Sequence, residues 1–148
     1  SARWLVHSDE REAVGVQLAT ALKDLMTRPD SQGGVKKDDA LRSVLENDVG
    51  LLSRCEAAPQ TIAERVDIFP LAGVTPGLCG LLVSHPRFTV IIAGDAVATQ
   101  EHLEQGRGVQ WAPDVERARA SLEEVIEIAD LIIPGRDNLL LNPTKKPF

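Results

Sequence analysis

Three junctions between an apolar run and a loop rich in glycine or proline hold the residues that could do chemistry. They are Gly73-Val74-Thr75-Pro76-Gly77, Ala93-Gly94-Asp95-Ala96-Val97 and Ile133-Pro134-Gly135-Arg136-Asp137-Asn138. Loops that follow strands are the usual place for functional side chains on α/β scaffolds. The Asp95 carboxylate could bind a metal ion, cap the next turn or pair with a cation. The Arg136 guanidinium could bind an anion or pair with Asp95 or Asp137.

The rest of the chain offers few metal ligands. A catalytic zinc site needs about three protein donors from imidazole, thiolate or carboxylate groups. The chain has 3 histidines, and no two of them stand at ligand spacing. We interpret His7 as a polar residue at a strand end, His85 as a turn residue and His102 as a surface-loop residue. Cys55 and Cys79 form no C-x-x-C pair and are interpreted as small buried hydrophobic residues.

The N-terminal part predicts a short strand followed by two amphipathic helices. Trp4-Leu5-Val6 is the strand, and apolar residues recur at helical spacing from there to residue 28. Residues 29–34 contain Pro, Asp, Ser and Gly and predict a connection. The second helix is predicted from Asp38, as its N-cap, to about Leu52.

The C-terminal part predicts strands of largely β-branched residues and one further helix. The strands are Val66-Asp67-Ile68-Phe69, Leu81-Leu82-Val83, Val90-Ile91-Ile92 and Leu131-Ile132-Ile133. Helical spacing over residues 114–129, with Asp114 as the N-cap, predicts the helix, and residues 101–104 are interpreted as a helical turn or a solvated face. This order favours an α/β layered fold.

Length and charge limit the classes of function. A chain of 148 residues suits one domain, here residues 1–148 with a coil tail over 142–148. A net charge of −6 argues against nucleic acid or an anionic membrane as partner. No apolar run approaches the ~20 residues of a membrane span. Two cysteines without a disulfide framework favour the cytoplasm.

The order of the three junctions resembles the C-terminal part of the metallo-β-lactamase-fold hydrolases. Residues 66–77 resemble the strand and T-P-G-H-T-P-G segment of that family, residues 89–97 its strand ending in G-D, and residues 129–139 its A-D-x-x-x-P-G-H-x motif. Residues 3–10 resemble the strand after its first metal-binding loop. The resemblance implies an αββα sandwich with a dinuclear metal site, usually zinc, at one edge. It also implies that the N-terminal portion of the fold is missing here.

The resemblance carries over few of the family's ligands. Its H-x-H-x-D-H segment has no counterpart in this chain. Its next His corresponds to Val74, its bridging Asp to Asp95 and its final His to Arg136. Val74 and Arg136 are therefore degenerate ligand positions, because valine has no donor atom and arginine stays protonated. Asp95 is the one metal ligand that the resemblance predicts.

These observations predict a metallo-β-lactamase-like protein that is no dinuclear-zinc hydrolase, with a binding or scaffold role. We expect Arg136 to neutralise Asp95 in place of a metal. The alternative is a metal-dependent hydrolase whose H-x-H-x-D-H segment comes from further N-terminal residues or another chain, which would bring zinc or another divalent metal. The expected partner is a small molecule or a protein. A homo-oligomer formed through strand edges is a third possibility.

Overall fold

The computed structural model describes residues 2–27 and 35–145. These residues fall into two compact units, Ser1–Ala57 and Ala58–Phe148. The predicted connection over residues 29–34 and the end of the predicted tail, residues 146–148, lie outside the described residues. The prediction of a single domain over residues 1–148 stays a prediction. No helix among the described residues is long and apolar enough to cross a membrane.

The first unit is a pair of helices with a two-stranded parallel ladder. Helix α1 spans Ser8–Thr27 and helix α2 spans Val35–Arg54, while β1 (Leu5–Val6) pairs with β2 (Glu56–Ala57). Both helices were predicted, but the N-cap prediction for Asp38 is wrong. Because α2 begins at Val35, Asp38 lies within its first turn, where a carboxylate interacts favourably with the helix dipole.

The second unit is a six-stranded sheet whose strands follow one another in chain order. The strands are β3 (Thr61–Ala63), β4 (Val66–Pro70), β5 (Cys79–His85), β6 (Phe88–Gly94), β7 (Leu131–Pro134) and β8 (Leu140–Leu141). All neighbouring strands are antiparallel except β6 and β7, which are parallel. The mixed sheet therefore contains every predicted strand of this part of the chain, together with the unpredicted β3 and β8.

Helix α4 (Val115–Ile128) covers one face of this sheet, and the core lies between them. Leu122 and Val125 of the helix pack with Ile91 and Ile132 of the sheet, all at most 1% exposed. The predicted N-cap is confirmed, because the Oδ1 atom of Asp114 accepts a hydrogen bond from the Arg117 backbone N–H at 2.9 Å. Ala118, one turn after the cap, is the first buried residue of the helix.

The opposite face of the sheet is aliphatic as well. Side chains alternate between faces along a strand, so the register places two cross-strand rows on this face. One row is Ile68, Leu81, Ile92 and Ile133, and the other is Val66, Val83, Val90 and Leu131. In an αββα layer order, the face opposite the helix is the one that packs against a second sheet.

Two short helical segments lie between β6 and α4. A 3-10 turn spans Asp95–Val97 directly after β6, and helix α3 spans Gln100–Gln105. Helix α3 contains the predicted helical turn at residues 101–104, with Thr99 as its N-cap. Both segments follow the strand end that carries Asp95.

Candidate functional site

Asp95 and Arg136 form a bidentate ion pair at the edge of the sheet. Strand β6 ends at Gly94 and strand β7 at Pro134. Because the two strands are parallel neighbours, the loops that follow them start at the same edge. The Nε and Nη2 atoms of Arg136 donate to Oδ1 and Oδ2 of Asp95 at 3.0 and 2.9 Å. The predicted pairing of these two residues is confirmed.

Backbone hydrogen bonds between the two loops fix the positions of Asp95 and Arg136 relative to each other. The Gly135 N–H points at the carbonyl oxygens of Gly94 and Val97, both at 3.0 Å, and the Arg136 N–H donates to Ala98 O at 2.9 Å. A Cβ atom on Gly135 would lie 2.7 Å from the carbonyl carbon of Gly94. Only glycine allows this approach of the two backbones.

The pair is half-exposed and strongly hydrogen-bonded. The side chain of Asp95 is 31% exposed and that of Arg136 is 58% exposed. The hydrogen bond from Arg136 lowers the pKa of Asp95 below its ordinary value, against a smaller opposing effect of burial, and the charge of Arg136 lowers it further. The same hydrogen bond raises the pKa of Arg136. Both groups therefore stay charged at neutral pH, and each neutralises the other.

Trp111 adds an aromatic surface next to the pair. The guanidinium carbon of Arg136 lies 5.9 Å from the centre of the Trp111 ring, in a cation–π arrangement. Trp111 is 59% exposed. At this exposure Trp111 is not a core residue, and its ring is available for contact at the surface.

Among the described residues, Asp137 forms backbone hydrogen bonds and no ion pair with Arg136. Its Oδ2 accepts a hydrogen bond from the Gln100 backbone N–H at 3.1 Å, and its Oδ1 accepts one from Asn138 at 2.8 Å. These backbone hydrogen bonds, the Gln100 bond first, lower the pKa of Asp137. Asp137 thus ties the loop after β7 to the start of α3, and Asp95 alone pairs with Arg136.

Val74, the first degenerate ligand position, is part of a small apolar cluster. It is 5% exposed and packs with Ala98, Val109, Ala112 and Ala118. The neighbouring Gly73 has φ of 133°, and a Cβ atom there would lie 2.1 Å from Ala118 N. The loop after β4 therefore packs closely against the start of α4 and brings no donor atom to the site at this position.

The histidines and cysteines have structural roles. His102 is not in a loop as predicted but in α3, where its Nδ1 lies 2.8 Å from Thr99 Oγ1. His85 ends β5 and stacks on Phe88 with ring centres 4.1 Å apart, and His7 Nδ1 accepts a hydrogen bond from the Asp9 N–H. Within the described part of the chain neither cysteine takes part in a disulfide, and both are partly buried, so the prediction of small buried residues holds only in part.

The described residues do not fit a dinuclear metal site. Among residues 2–27 and 35–145, no group of three or more His, Cys, Asp and Glu side chains could hold a metal ion. Of the positions that correspond to family ligands, Val74 has no donor atom and both oxygens of Asp95 accept hydrogen bonds from Arg136. A metal at Asp95 would need its other ligands from outside these residues.

Comparison with solved structures identifies the fold. The chain is similar to AidC, a dizinc quorum-quenching lactonase, with a TM-score of 0.62 and 13% identity over 97% of this chain and 51% of that one. It is similar to the hydrolase AbOPH of the beta-lactamase superfamily, with a TM-score of 0.56 and 13% identity over 99% of this chain and 56% of that one. An N-acyl homoserine lactone hydrolase gives a TM-score of 0.51 and 18% identity over 90% and 46%.

These similarities confirm the predicted metallo-β-lactamase fold and its C-terminal part. The matched region is the C-terminal half of the solved chains, so this chain spans about half the length of the structures that it matches. No protein-family profile and no curated protein sequence matches the chain. At this level of identity the similarity establishes the fold, and the chemistry must be argued from the residues of the site.

Proposed function

We propose that this chain is the C-terminal part of a metallo-β-lactamase-fold protein that acts by binding and not by dinuclear-zinc hydrolysis. The observation that carries the proposal is the bidentate Asp95–Arg136 pair, with contacts of 2.9 and 3.0 Å. By resemblance, Asp95 stands where the family has its bridging metal ligand. In this chain its charge is neutralised by an arginine instead.

Electrostatics explains why the ion pair and a metal pair exclude each other. A bridging carboxylate is shared by two cations, and the guanidinium lies within hydrogen-bond distance of both of its oxygens. A permanently charged arginine next to a divalent cation would add repulsion at a distance where charges interact strongly. Replacing a metal by Arg136 keeps the carboxylate compensated and removes the Lewis acid on which a hydrolase of this fold depends.

Metal analysis of the protein tests the proposal. Zinc, iron and manganese are measured in the longest natural polypeptide that contains this chain, purified without chelator. We expect well below one metal ion per chain in the wild type. The variant Arg136→His, which restores a donor at the final ligand position, should contain more zinc than the wild type. Arg119→His, on the exposed side of α4, is the matched control and should not. Stoichiometric metal in the wild type would overturn the proposal.

A metal-dependent hydrolase is the second candidate. It is favoured by the position of Asp95 at a strand end, where 31% of its side chain is still exposed, and by the hydrolases among the similar structures. In that case an H-x-H-x-D-H segment from further residues or another chain would complete a mononuclear site for zinc or another divalent metal. Displacement of Arg136 from Asp95 when zinc is added would support this candidate.

The remaining expectations concern partners and location. We propose a small molecule or a protein as partner, and neither nucleic acid nor membrane, because the chain carries a net charge of −6. We also propose a cytoplasmic protein, because two cysteines provide no disulfide framework of the kind that secreted domains use. A homo-oligomer formed through strand edges would contain more than one copy in light scattering, and β3, an edge strand whose residues are all exposed, is one edge that could form it.

A further inference from the structure

The guanidinium of Arg136 keeps unused hydrogen-bond donors. Arginine has five N–H donors, and Asp95 accepts from one on Nε and one on Nη2, so about three remain for other partners. Two of them, one on Nη1 and one on Nη2, lie side by side on the outer edge of the guanidinium. Within the described part of the chain, no protein acceptor contacts Nη1. Because the side chain is 58% exposed, this edge is open to a ligand.

The arrangement of the N–H groups on this outer edge determines which class of ligand it can bind. Two parallel N–H groups on one planar edge match the two oxygens of a carboxylate. The nearby charges disfavour a dianion, because Asp95 pairs with the same guanidinium and Asp137 follows it in the chain. A ligand with a single negative charge is therefore preferred over a phosphate.

Trp111 supplies a surface for the rest of the ligand. The guanidinium carbon of Arg136 lies over its ring, 5.9 Å from the ring centre, and more than half of the Trp111 surface is exposed. An exposed indole next to a cation binds planar apolar groups through stacking and burial of apolar area. The outer edge of Arg136 and the ring of Trp111 thus form two adjoining parts of one surface.

We propose that Arg136 and Trp111 bind a monocarboxylate with a planar apolar body. The proposal rests on the proposed function, because it requires a guanidinium and not a metal at Asp95. Arg136 binds the carboxylate by its outer edge, and Trp111 packs against the apolar body. Asp95 is a positioning residue, because its two hydrogen bonds fix the orientation of the guanidinium before a ligand arrives.

Fluorescence titration tests this proposal with benzoate as the probe. The variant Trp4→Phe removes the only other tryptophan of the chain, so the emission reports on Trp111. Benzoate should change this emission in a saturable way in the presence of EDTA. Benzamide, which has the same ring without the charge, and inorganic phosphate should bind much more weakly. Arg136→Lys keeps the charge but loses the planar edge, and it should weaken benzoate binding roughly tenfold or more. Arg119→Lys, the matched control, should leave benzoate binding unchanged.

The outcomes separate this inference from the proposed function. Equal affinity for benzoate and benzamide, or unchanged affinity for benzoate in Arg136→Lys, would overturn the proposed carboxylate site. Neither result would affect the conclusion from the metal analysis. Benzoate binding that disappears in EDTA, together with stoichiometric metal, would overturn both. Ligand-detected NMR with Trp111→Leu gives an independent measurement. Benzoate should bind more weakly to that variant, whereas acetate, which has no ring, should not distinguish it from wild type.

Discussion

The backbone of Gly135 lies directly against the backbone of Gly94, with the Gly135 amide 3.0 Å from the Gly94 carbonyl oxygen. A Cβ atom at position 135 would come within 2.8 Å of that oxygen and 3.0 Å of Asp95 Oδ1. The close approach of two glycines therefore sets the distance between the loops that carry the ion pair.

Replacing Gly135 by alanine should force these loops apart. We expect Gly135→Ala to lower the free energy of unfolding by about 1–3 kcal/mol, as overpacking of a tight contact does. Urea denaturation measures the change. The matched control is Gly108→Ala, where an added Cβ would meet only ordinary contacts at 3.7–3.9 Å. A loss as large in Gly108→Ala would contradict a specific role for Gly135.

A double-mutant cycle should show that Asp95 and Arg136 are coupled. Asp95→Asn, Arg136→Gln and the double variant are compared by urea denaturation, which isolates the pairwise contribution to stability. We expect a larger coupling than in the same cycle for Arg119 and Glu123 on α4. That second pair has a single contact at 2.9 Å between side chains exposed by more than 60%, and such pairs contribute little. Equal coupling in both cycles would mean that the bidentate geometry adds nothing.

The stability contributed by Asp95 should depend on pH in a defined direction. Because Arg136 lowers the pKa of Asp95 in the folded state, the contribution is present above the unfolded value of about 3.9. It should disappear as the pH falls through the lower, folded pKa. Free energies of unfolding of wild type and Asp95→Asn, measured from about pH 7 to about pH 3, should therefore converge only at the acidic end. Convergence already near neutral pH would contradict the lowered pKa.

Asn142 should stabilise the end of α4. It is 3% exposed, and its Nδ2 donates to the backbone oxygens of Ile126 and Ala129 at 2.7 and 2.6 Å. Asn142→Asp replaces this donor by an acceptor and places a carboxylate against two carbonyl oxygens. We expect a loss of about 2 kcal/mol or more in the free energy of unfolding. The matched control Asn138→Asp changes an exposed side chain and should stay close to wild type.

Part of this fold could be predicted from the sequence because local patterns and tertiary packing agree there. The β-branched runs that became β4 to β7 are bounded by glycine and proline, and the stripe of α4 starts at a capping residue, Asp114. Strand β3 was not predicted because its residues are all exposed and so show no alternation. For Asp38 the sequence was ambiguous, because a carboxylate suits both an N-cap and the first turn.

In the site, too, the residues with a clear local signal could be predicted and the others could not. Opposite charges that follow neighbouring strands allowed the Asp95–Arg136 pair to be predicted. The place of Trp111 next to Arg136 could not be predicted, because the loop before α4 has no periodicity and its path depends on tertiary contacts such as the hydrogen bond from Asp114 N–H to Gly73 O. For His102 the sequence supported two conflicting predictions, a surface loop and a helical turn over residues 101–104, because α3 has only 6 residues and shows little periodicity.

The order of the strands has a consequence for how the second unit folds. Strands β4, β5 and β6 pair with their neighbours in the chain, β4 with β5 across residues 71–78 and β5 with β6 across residues 86–87, so they can form early at a small entropic cost. Strand β6 can pair with β7 only after the long intervening segment, which contains α4, has brought the two strands together. The loops with Asp95 and Arg136 meet only after that closure. Loss of their ion pair should therefore accelerate unfolding and leave the rate of folding almost unchanged.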